Sequence, residues 1–421
     1  MLKYTLSSEK PRLPSPDHWL RPNYLGPGDS IISSYRDDPD EWQNDHMHFN
    51  WTEPTMMVLK IQLNAAKNKL NPIASNKKFN IVIEKNRSHE LLRTNKGIIV
   101  REYGGEVCTN AWLKMYELGS LLDDCLLIIQ KKRCKEFGSF HLAEAPGNFI
   151  LALNHLLKTK YLIDWNWHAN SYRGNHDHYL GDTYGLQDKF PDHWLYGADS
   201  DGDITSDANL RSFEYRLKKT RIDLVTSDVK YVPDNLECFD EEENINGPVQ
   251  LGGIICSLGT LSIGGYAILK HFTLFESHSI SWLWLMNCVF NELHIIKPET
   301  SRAANSEVYV VGIGYRKKID ANHMEMLYKV LKFIRGICTG VKIPALFRRE
   351  DIPNSFVDRL IDIQRILVDR QIAAIDDNIS IWEQYKKIQI PDQFNNQTTI
   401  ANTWLERNDI RLLPANKRML D

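Results

Sequence analysis

Residues 140–155, FHLAEAPGNFILALNH, decide how the rest of the chain is read. An apolar run over 140–143 stops at the turn Glu144-Ala145-Pro146-Gly147, and a helical pattern follows over 148–158. Strand, sharp turn, helix is the repeating step of an α/β domain. In doubly wound sheets, ligands bind outside the carboxyl ends of strands, next to the helix that follows. Gly147 there lets a backbone approach a ligand closely. The segment has one glycine, so it is not the dinucleotide fingerprint G-x-G-x-x-G. Taken alone, an ordinary strand–helix turn explains it as readily as a binding site does.

The pattern extends in both directions. Strands are expected at 222–227, 265–270, 294–296 and 308–313, and helices at 251–262 and 278–290. The α/β segment runs over 106–320, with no internal repeat. Residues 1–105 read as a mixed N-terminal extension, broken early by Pro11, Pro14, Pro16, Pro22 and Pro27. A helix is expected over 55–69, although the alternation of Met57, Leu59, Ile61 and Leu63 also fits a strand. Residues 321–421 read as a helical C-terminal segment, with amphipathic stretches at 323–335 and 356–385 that suit packing on the α/β core.

At 421 residues, 43% hydrophobic and 25% charged, the chain resembles an ordinary soluble protein of two to three domain-sized units. Disordered, collagenous and low-complexity architectures are excluded. The net charge of −3 argues against a dominant polybasic binder and leaves room for a local basic groove. No run approaches the roughly 18 apolar residues of a membrane span. The best, 282–290, is short and contains Asn287. The N-terminus lacks the apolar segment of a signal peptide. The expectation is an intracellular protein of the nucleus or cytoplasm, with no membrane partner. The seven cysteines, Cys108, Cys125, Cys134, Cys238, Cys256, Cys288 and Cys338, form no C-x-x-C pair and read as reduced thiols.

Three ionisable residues interrupt apolar strands near their ends. Asp228 closes DLVTSDV (223–229), Lys270 sits in GGYAILKHFTLF (264–275), and Glu307 opens the strand of SRAANSEVYVVGIGY (301–315). Each has a plain explanation alone: a helix cap, a lysine reaching for water, a strand-start carboxylate. Together, at neighbouring strand ends of one sheet, such residues can converge on one crevice. Lysines and carboxylates so gathered suit removal of a proton from a weakly acidic hydroxyl, since a desolvated lysine beside another ammonium becomes an accessible base.

With these motifs, TNAWLKMYEL, WNWHANSY, DGDITS and KPETSRAANSEVYVV, the chain resembles an FtsJ-like RNA 2′-O-methyltransferase. Within that family it is most similar to the Adrift-type enzymes that methylate the second transcribed nucleotide of capped mRNA, and relatives occur in large DNA viruses. The resemblance covers 106–320 and continues weakly through IPNSFVDR (352–359). It implies a Rossmann-like methyltransferase sheet, mostly parallel with one antiparallel strand. It implies S-adenosyl-L-methionine as cofactor, and capped mRNA as partner, with other capping or transcription components as further possible partners. It also implies a Lys-Asp-Lys-Glu tetrad, which falls on Lys114, Asp228, Lys270 and Glu307. Lys270 would act as base or steer the hydroxyl, Asp228 and Lys114 would orient it, and Glu307 would complete the network. Glu144, Pro146, Gly147, Asn148, Phe149 and Asp228 would line the methionine end of the cofactor. Asp203 would lie near the adenine, and Trp165 or Trp167 where the second strand ends, near ribose and adenine. No metal is required. His141 departs from the family's aspartate, and Glu144 would take part of that work. The chain is also too short to include the second, inactive methyltransferase-like domain of animal enzymes. Activity on the first cap nucleotide or on another RNA, and a silent RNA-binding subunit of a capping assembly, remain open alternatives.

Other signals read more plainly. The run NHDHYLGD (175–182) offers His176, Asp177, His178 and Asp182, and HMHF (46–49) offers two histidines, but both spacings suit loops better than a metal. Basic clusters at Lys131, Lys132, Arg133 and Lys135, at Arg216, Lys218, Lys219 and Arg221, at Arg316 to Lys318, and at Arg348 and Arg349 fit solvated faces, or a path for RNA phosphates. The N-x-S/T sites at Asn50, Asn86 and Asn396 read as chance matches.

Overall fold

A computed structural model of the protein describes residues 1–7, 11–15, 19, 49–84, 87–131, 136–174, 181–231, 241–335, 342–388 and 397–421. Its strands are β1 (Leu2–Ser7), β2 (Glu136–Leu142), β3 (Asp164–Ala169), β4 (Leu224–Ser227), β5 (Tyr266–Phe272), β6 (Phe290–Lys297) and β7 (Glu307–Tyr315). Among the described residues, the helices of eight residues or more are α1 (Pro54–Asn68), α2 (Lys77–Glu84), α3 (Arg87–Glu102), α4 (Asn110–Gly119), α5 (Asp123–Lys131), α6 (Asn148–Leu156), α7 (Asp207–Leu217), α8 (Gly247–Thr260), α9 (Ser277–Val289), α10 (Ala321–Arg335), α11 (Asn354–Ile388) and α12 (Gln397–Arg407).

One sheet holds all seven strands in the order β1-β6-β7-β5-β4-β2-β3. β3, β2, β4 and β5 run parallel, whereas β7 opposes β5, β6 opposes β7 and β1 opposes β6. Two strands are therefore opposed to the rest, where one was expected. The extra one is β1, from the stretch read as an extension. It pairs with β6, as in Leu2 opposite Lys297, a partner nearly the whole domain away in sequence.

The central strand β5, YAILKHF, is buried along its length, which is why it reads as a continuous run and not an alternation. Helices cover both faces. Trp112, Leu126, Leu153 and Trp404 of α4, α5, α6 and α12 pack on one. Leu59, Leu210, Leu251, Ile280, Leu327 and Leu360 of α1, α7, α8, α9, α10 and α11 pack on the other. Strand residues alternate between the two cores, with Ile268 and Tyr309 facing the α4 side and Leu269 and Val310 the other.

The helix-or-strand ambiguity at 55–69 resolves as α1, whose Met56, Leu59, Leu63 and Ala66 form one buried stripe against α11. The apolar 282–290 run belongs to α9 up to Val289, buried on every side as an interior helix, and its last residue, Phe290, opens β6. No helix among the described residues is long and apolar enough to cross a membrane. The expected strand over 140–143 ends one residue early, because Ala143 already turns with φ +51°. The helix over 148–158 ends at Leu156 and continues as a wider turn, Leu157–Tyr161.

Candidate active site

The turn after β2 is built around a buried carboxylate. Glu144 Oε1 accepts the amides of Phe149 (2.7 Å) and Ile150 (3.1 Å), so it caps the start of α6 from inside. Burial pushes the Glu144 carboxyl up to about 8, the two amide bonds oppose this, and the charge of Asp228 adds to it. Pro146 follows Ala145 through a cis bond, and Gly147 takes a left-handed conformation at φ +117°. A Cβ on Gly147 would lie 2.5 Å from Leu186 Cδ2, so a side chain there would require Leu186 to shift, on top of the strain of the positive φ. Asn148 Oδ1 accepts from Thr109 Oγ1 (2.7 Å) and Tyr184 Oη (3.4 Å), tying the turn to the start of α4. Among the described residues, Oδ1 of Asn110 and Oδ1 of Asn170 are buried without a hydrogen-bond partner.

The tetrad residues converge at the carboxyl edge of the sheet. β4 and β5 pair with Ser227 opposite Leu269, which sets Asp228 beside Lys270. β5 and β7 pair with Lys270 opposite Tyr309 and Phe272 opposite Glu307, so Lys270, Tyr309 and Glu307 share a face. α4 covers that face and brings in Lys114. Lys270 Nζ lies 2.9 Å from Asp228 Oδ1, 2.7 Å from the Asp228 carbonyl oxygen and 3.9 Å from Glu307 Oε2. Lys114 Nζ lies 2.7 Å from Glu307 Oε1. The side chains of Lys270 and Glu307 are each 7% exposed, so this ammonium and this carboxylate are held out of bulk water, with the more exposed Asp228 and Lys114 completing the charge balance. Burial would raise the Glu307 carboxyl, but Lys114 and Lys270 outweigh it and hold it well below the ordinary range.

Two supporting residues escaped the reading of the sequence. Tyr309 donates its hydroxyl to Asp228 Oδ1 at 2.6 Å, and Ser301 donates to Glu307 Oε1 at 2.7 Å. Tyr309 was findable: in EVYVV it stands two residues from Glu307, on the same strand face. Burial and the Asp228 charge hold its phenol well above the usual range. The Phe149 ring packs 6.5 Å from the Tyr309 ring, joining the glycine turn to the ionic network.

Other residues fall differently. Trp165 and Trp167 lie within β3, paired with Phe137 and Ser139, and not at its carboxyl end. Trp165 donates to Ser139 Oγ and Trp167 stacks on His193, whose ring centre is 4.2 Å away. The strand ends later, at Ala169, because the alternation WNWHA is one uninterrupted strand, and Asn170 holds the end position. Asp203 lies beside Asn170, whose amide donates to the Gly202 carbonyl. Its carboxylate, however, accepts from Thr205 Oγ1 (2.7 Å) and pairs with Arg335 (2.8 Å). His141 is fully buried between Ser139 and Thr226 and ties β2 to β4, with burial pushing its pKa down to about 3.

The basic clusters 216–221 and 316–318 sit before β4 and after β7, at the sheet edge opposite the tetrad. Residues 132–135, 175–180 and 46–48 lie outside the described residues, as do Cys134, Cys238 and Cys338. Cys108, Cys125, Cys256 and Cys288 are free thiols. Among the described residues, no group of three histidine, cysteine or acidic side chains is placed to hold a metal ion.

The sheet order, the glycine turn and the ionic network at the strand ends define a Rossmann-like methyltransferase domain. Residues 108–315 match the FtsJ-like methyltransferase family, and the chain belongs to it. It is 34% identical over 383 residues to the cap-specific mRNA (nucleoside-2′-O-)-methyltransferase 2 of Danio rerio, covering 86% of this chain and 48% of that one. It is 32% identical to uncharacterized protein L511 of Acanthamoeba polyphaga mimivirus, over 75% of this chain and 39% of the other. It is 30% identical to the probable methyltransferase EP424R of an African swine fever virus isolate, over 68% of this chain and 70% of that one. The chain thus spans about half the length, or less, of the first two relatives.

Proposed function

We propose that this protein transfers a methyl group from S-adenosylmethionine to the ribose 2′-hydroxyl of a cap-proximal mRNA nucleotide, the second transcribed one. The observation that carries the reading is the ionic network: Lys270 pinned by Asp228, and Lys114 paired with Glu307, at strand ends beside the glycine turn.

The turn suits the donor. The unpartnered Oδ1 atoms of Asn110 and Asn170 are acceptors free for an ammonium and a ribose hydroxyl. Asn110, Glu144, Gly147, Asn148 and Phe149 would hold the methionine end, and Asn170 the ribose. When bound, the donor supplies a methyl group on a sulfonium whose departure leaves a neutral thioether, so no metal is needed.

Lys270 is the group placed to touch the attacking hydroxyl. Asp228, fixed by Tyr309, holds Lys270 in one geometry, and Glu307 fixes Lys114 beside it. As the oxygen–methyl bond forms and the carbon–sulfur bond breaks, the 2′-hydroxyl would give up its proton to Lys270 while Lys270 passes one of its own to the Asp228 carboxylate, so the proton would end on Asp228 and the charge of the pair would stay balanced. Most of the acceleration then comes from holding donor and hydroxyl in line. The cap preference rests on the likeness to the zebrafish relative, and the tetrad's presence in full argues against a silent copy.

Labelled S-adenosylmethionine, with capped and uncapped RNAs of one sequence, tests this. Transfer to capped RNA alone, abolished in Lys270→Ala while donor binding persists, is the expected result. Equal transfer to both RNAs would refute the cap preference, and no transfer to any RNA would refute the methyltransferase reading.

A further inference from the structure

Glu307 opens β7 at the end of a short segment, 304–307, that is held almost entirely by side chains from elsewhere. Gln371 of α11 uses both hydrogens of its amide, donating to the Ala304 carbonyl (3.1 Å) and to Ser306 Oγ (3.2 Å). Lys297, at the end of β6, uses all three ammonium hydrogens, donating to the Asn305 carbonyl (2.8 Å), Asn305 Oδ1 (2.5 Å) and the Glu307 carbonyl (2.7 Å). The Thr273 amide donates to the Ser306 carbonyl at 3.1 Å. Each residue from 304 to 307 is therefore fixed by at least one bond from outside the segment.

Packing shares that task only in part, through Ala304 on the core. A cavity of about 170 Å³ adjoins the segment, lined by Lys297, Asn305, Ser306 and Gln371, with Leu63 and Val368 behind them. Chain beside an empty space can relax into it when its bonds are cut. Gln371 is 6% exposed, so water does not replace its bonds readily. Lys297 is also burdened by its setting: burial pushes its amine down to about 7, Glu307 opposing and Lys114 adding.

We propose that Gln371 and Lys297 are positioning residues that set Glu307 against Lys114 and Lys270, so that α11, outside the segment matched to the family, belongs to the machinery of methyl transfer. The inference rests on the reading of the tetrad given above. Its leverage is geometric: Glu307 reaches Lys114 at 2.7 Å and Lys270 at 3.9 Å, and misplacement by about 1 Å can cost on the order of 100-fold in rate.

The test uses the full chain with Gln371→Glu, which keeps the shape and removes the donors. Lys297→Met is the second variant, and Arg365→Ala, an exposed residue of the same helix, is the control. Hydrogen exchange of the 304–308 amides is the first readout and needs no substrate. Exchange there is expected to quicken about tenfold or more in both variants, while β2 is unchanged. The second readout is steady-state kinetics on capped RNA. A fall in kcat of about 10–100-fold is expected, with KM for RNA and donor within about twofold and a displaced kcat–pH profile. A merely structural glutamine would lower the folded fraction and scale the profile without displacing it. Unchanged exchange in both variants would overturn the clamp whatever the activity. Faster exchange with unchanged kcat and pH profile would overturn the positioning role. A wild-type protein inert on every RNA would instead overturn the tetrad reading, and the exchange rates alone would then decide whether the clamp exists.

Discussion

Replacing Glu307 by Gln removes one charge from a nearly neutral cluster and changes little else in shape. Ser301 can still donate to the amide oxygen, but Lys114 loses its carboxylate partner and Lys270 keeps only Asp228. At 2.7 Å and an effective dielectric of about 20, the Lys114–Glu307 attraction is roughly 6 kcal/mol before desolvation is counted. Leaving one member of such a pair buried and unpaired costs about 3–5 kcal/mol. Glu307→Gln is therefore expected to lower unfolding stability by about 3 kcal/mol or more, read by urea titration at pH 7. Lys114→Met should cost a similar amount, and the double variant should cost clearly less than the sum, with a coupling of about 2–3 kcal/mol. The pH dependence has a definite sign. The Glu307 carboxyl is depressed in the folded state, so its contribution is fully present above about pH 4.5 and fades as pH falls toward about 2. The gap between wild type and Glu307→Gln should close over that window. Additive single-variant effects, within about 0.5 kcal/mol, would refute the paired geometry from which the tetrad is argued.

Gly147→Ala meets both a φ of +117° and Leu186 Cδ2 at 2.5 Å, so it should destabilise by about 1–3 kcal/mol and weaken S-adenosylmethionine binding in calorimetry. Leu186→Ala in the same chain should relieve the clash but not the backbone strain. Tyr309→Phe removes the hydroxyl bond to Asp228 and should lower kcat by about tenfold, with donor affinity unchanged, because a bond to a charged group is worth about 1.5–3 kcal/mol. Glu144→Gln bears on pH in the opposite sense to Glu307. The Glu144 carboxyl is raised to about 8 in the folded state, so its contribution is present below about pH 4.5 and is lost as pH rises through 8. The variant should gain stability relative to wild type between urea titrations at pH 5 and pH 8.5.

The legible part of the site was the part written on strands. Asp228, Lys270 and Glu307 interrupt apolar runs, and the sheet's register brings such interruptions together without further instruction. Tyr309 follows from the same period of two. Lys114 was different: it lies on a helix with no charge pattern around it, and only the family resemblance singled it out. The end of β3 was set too early, at the two tryptophans, because WNWHA alternates as a strand should, and alternation marks the body of a strand, not its end. β1 was invisible because six polar and apolar residues gain their meaning only from β6, far along the chain. Gln371 was hidden for a similar reason. On its helix it reads as one more polar residue of an amphipathic face, and its role exists only where that face meets the loop before β7.

The most direct measurement uses capped RNAs that differ by one oxygen. One carries 2′-deoxyribose at the first transcribed nucleotide, one at the second, and one at neither. The account predicts methyl transfer to the first and third RNAs and none to the second. Transfer that survives loss of the second nucleotide's hydroxyl and vanishes with the first would contradict the proposed position. Transfer that ignores both would contradict cap-proximal methylation altogether.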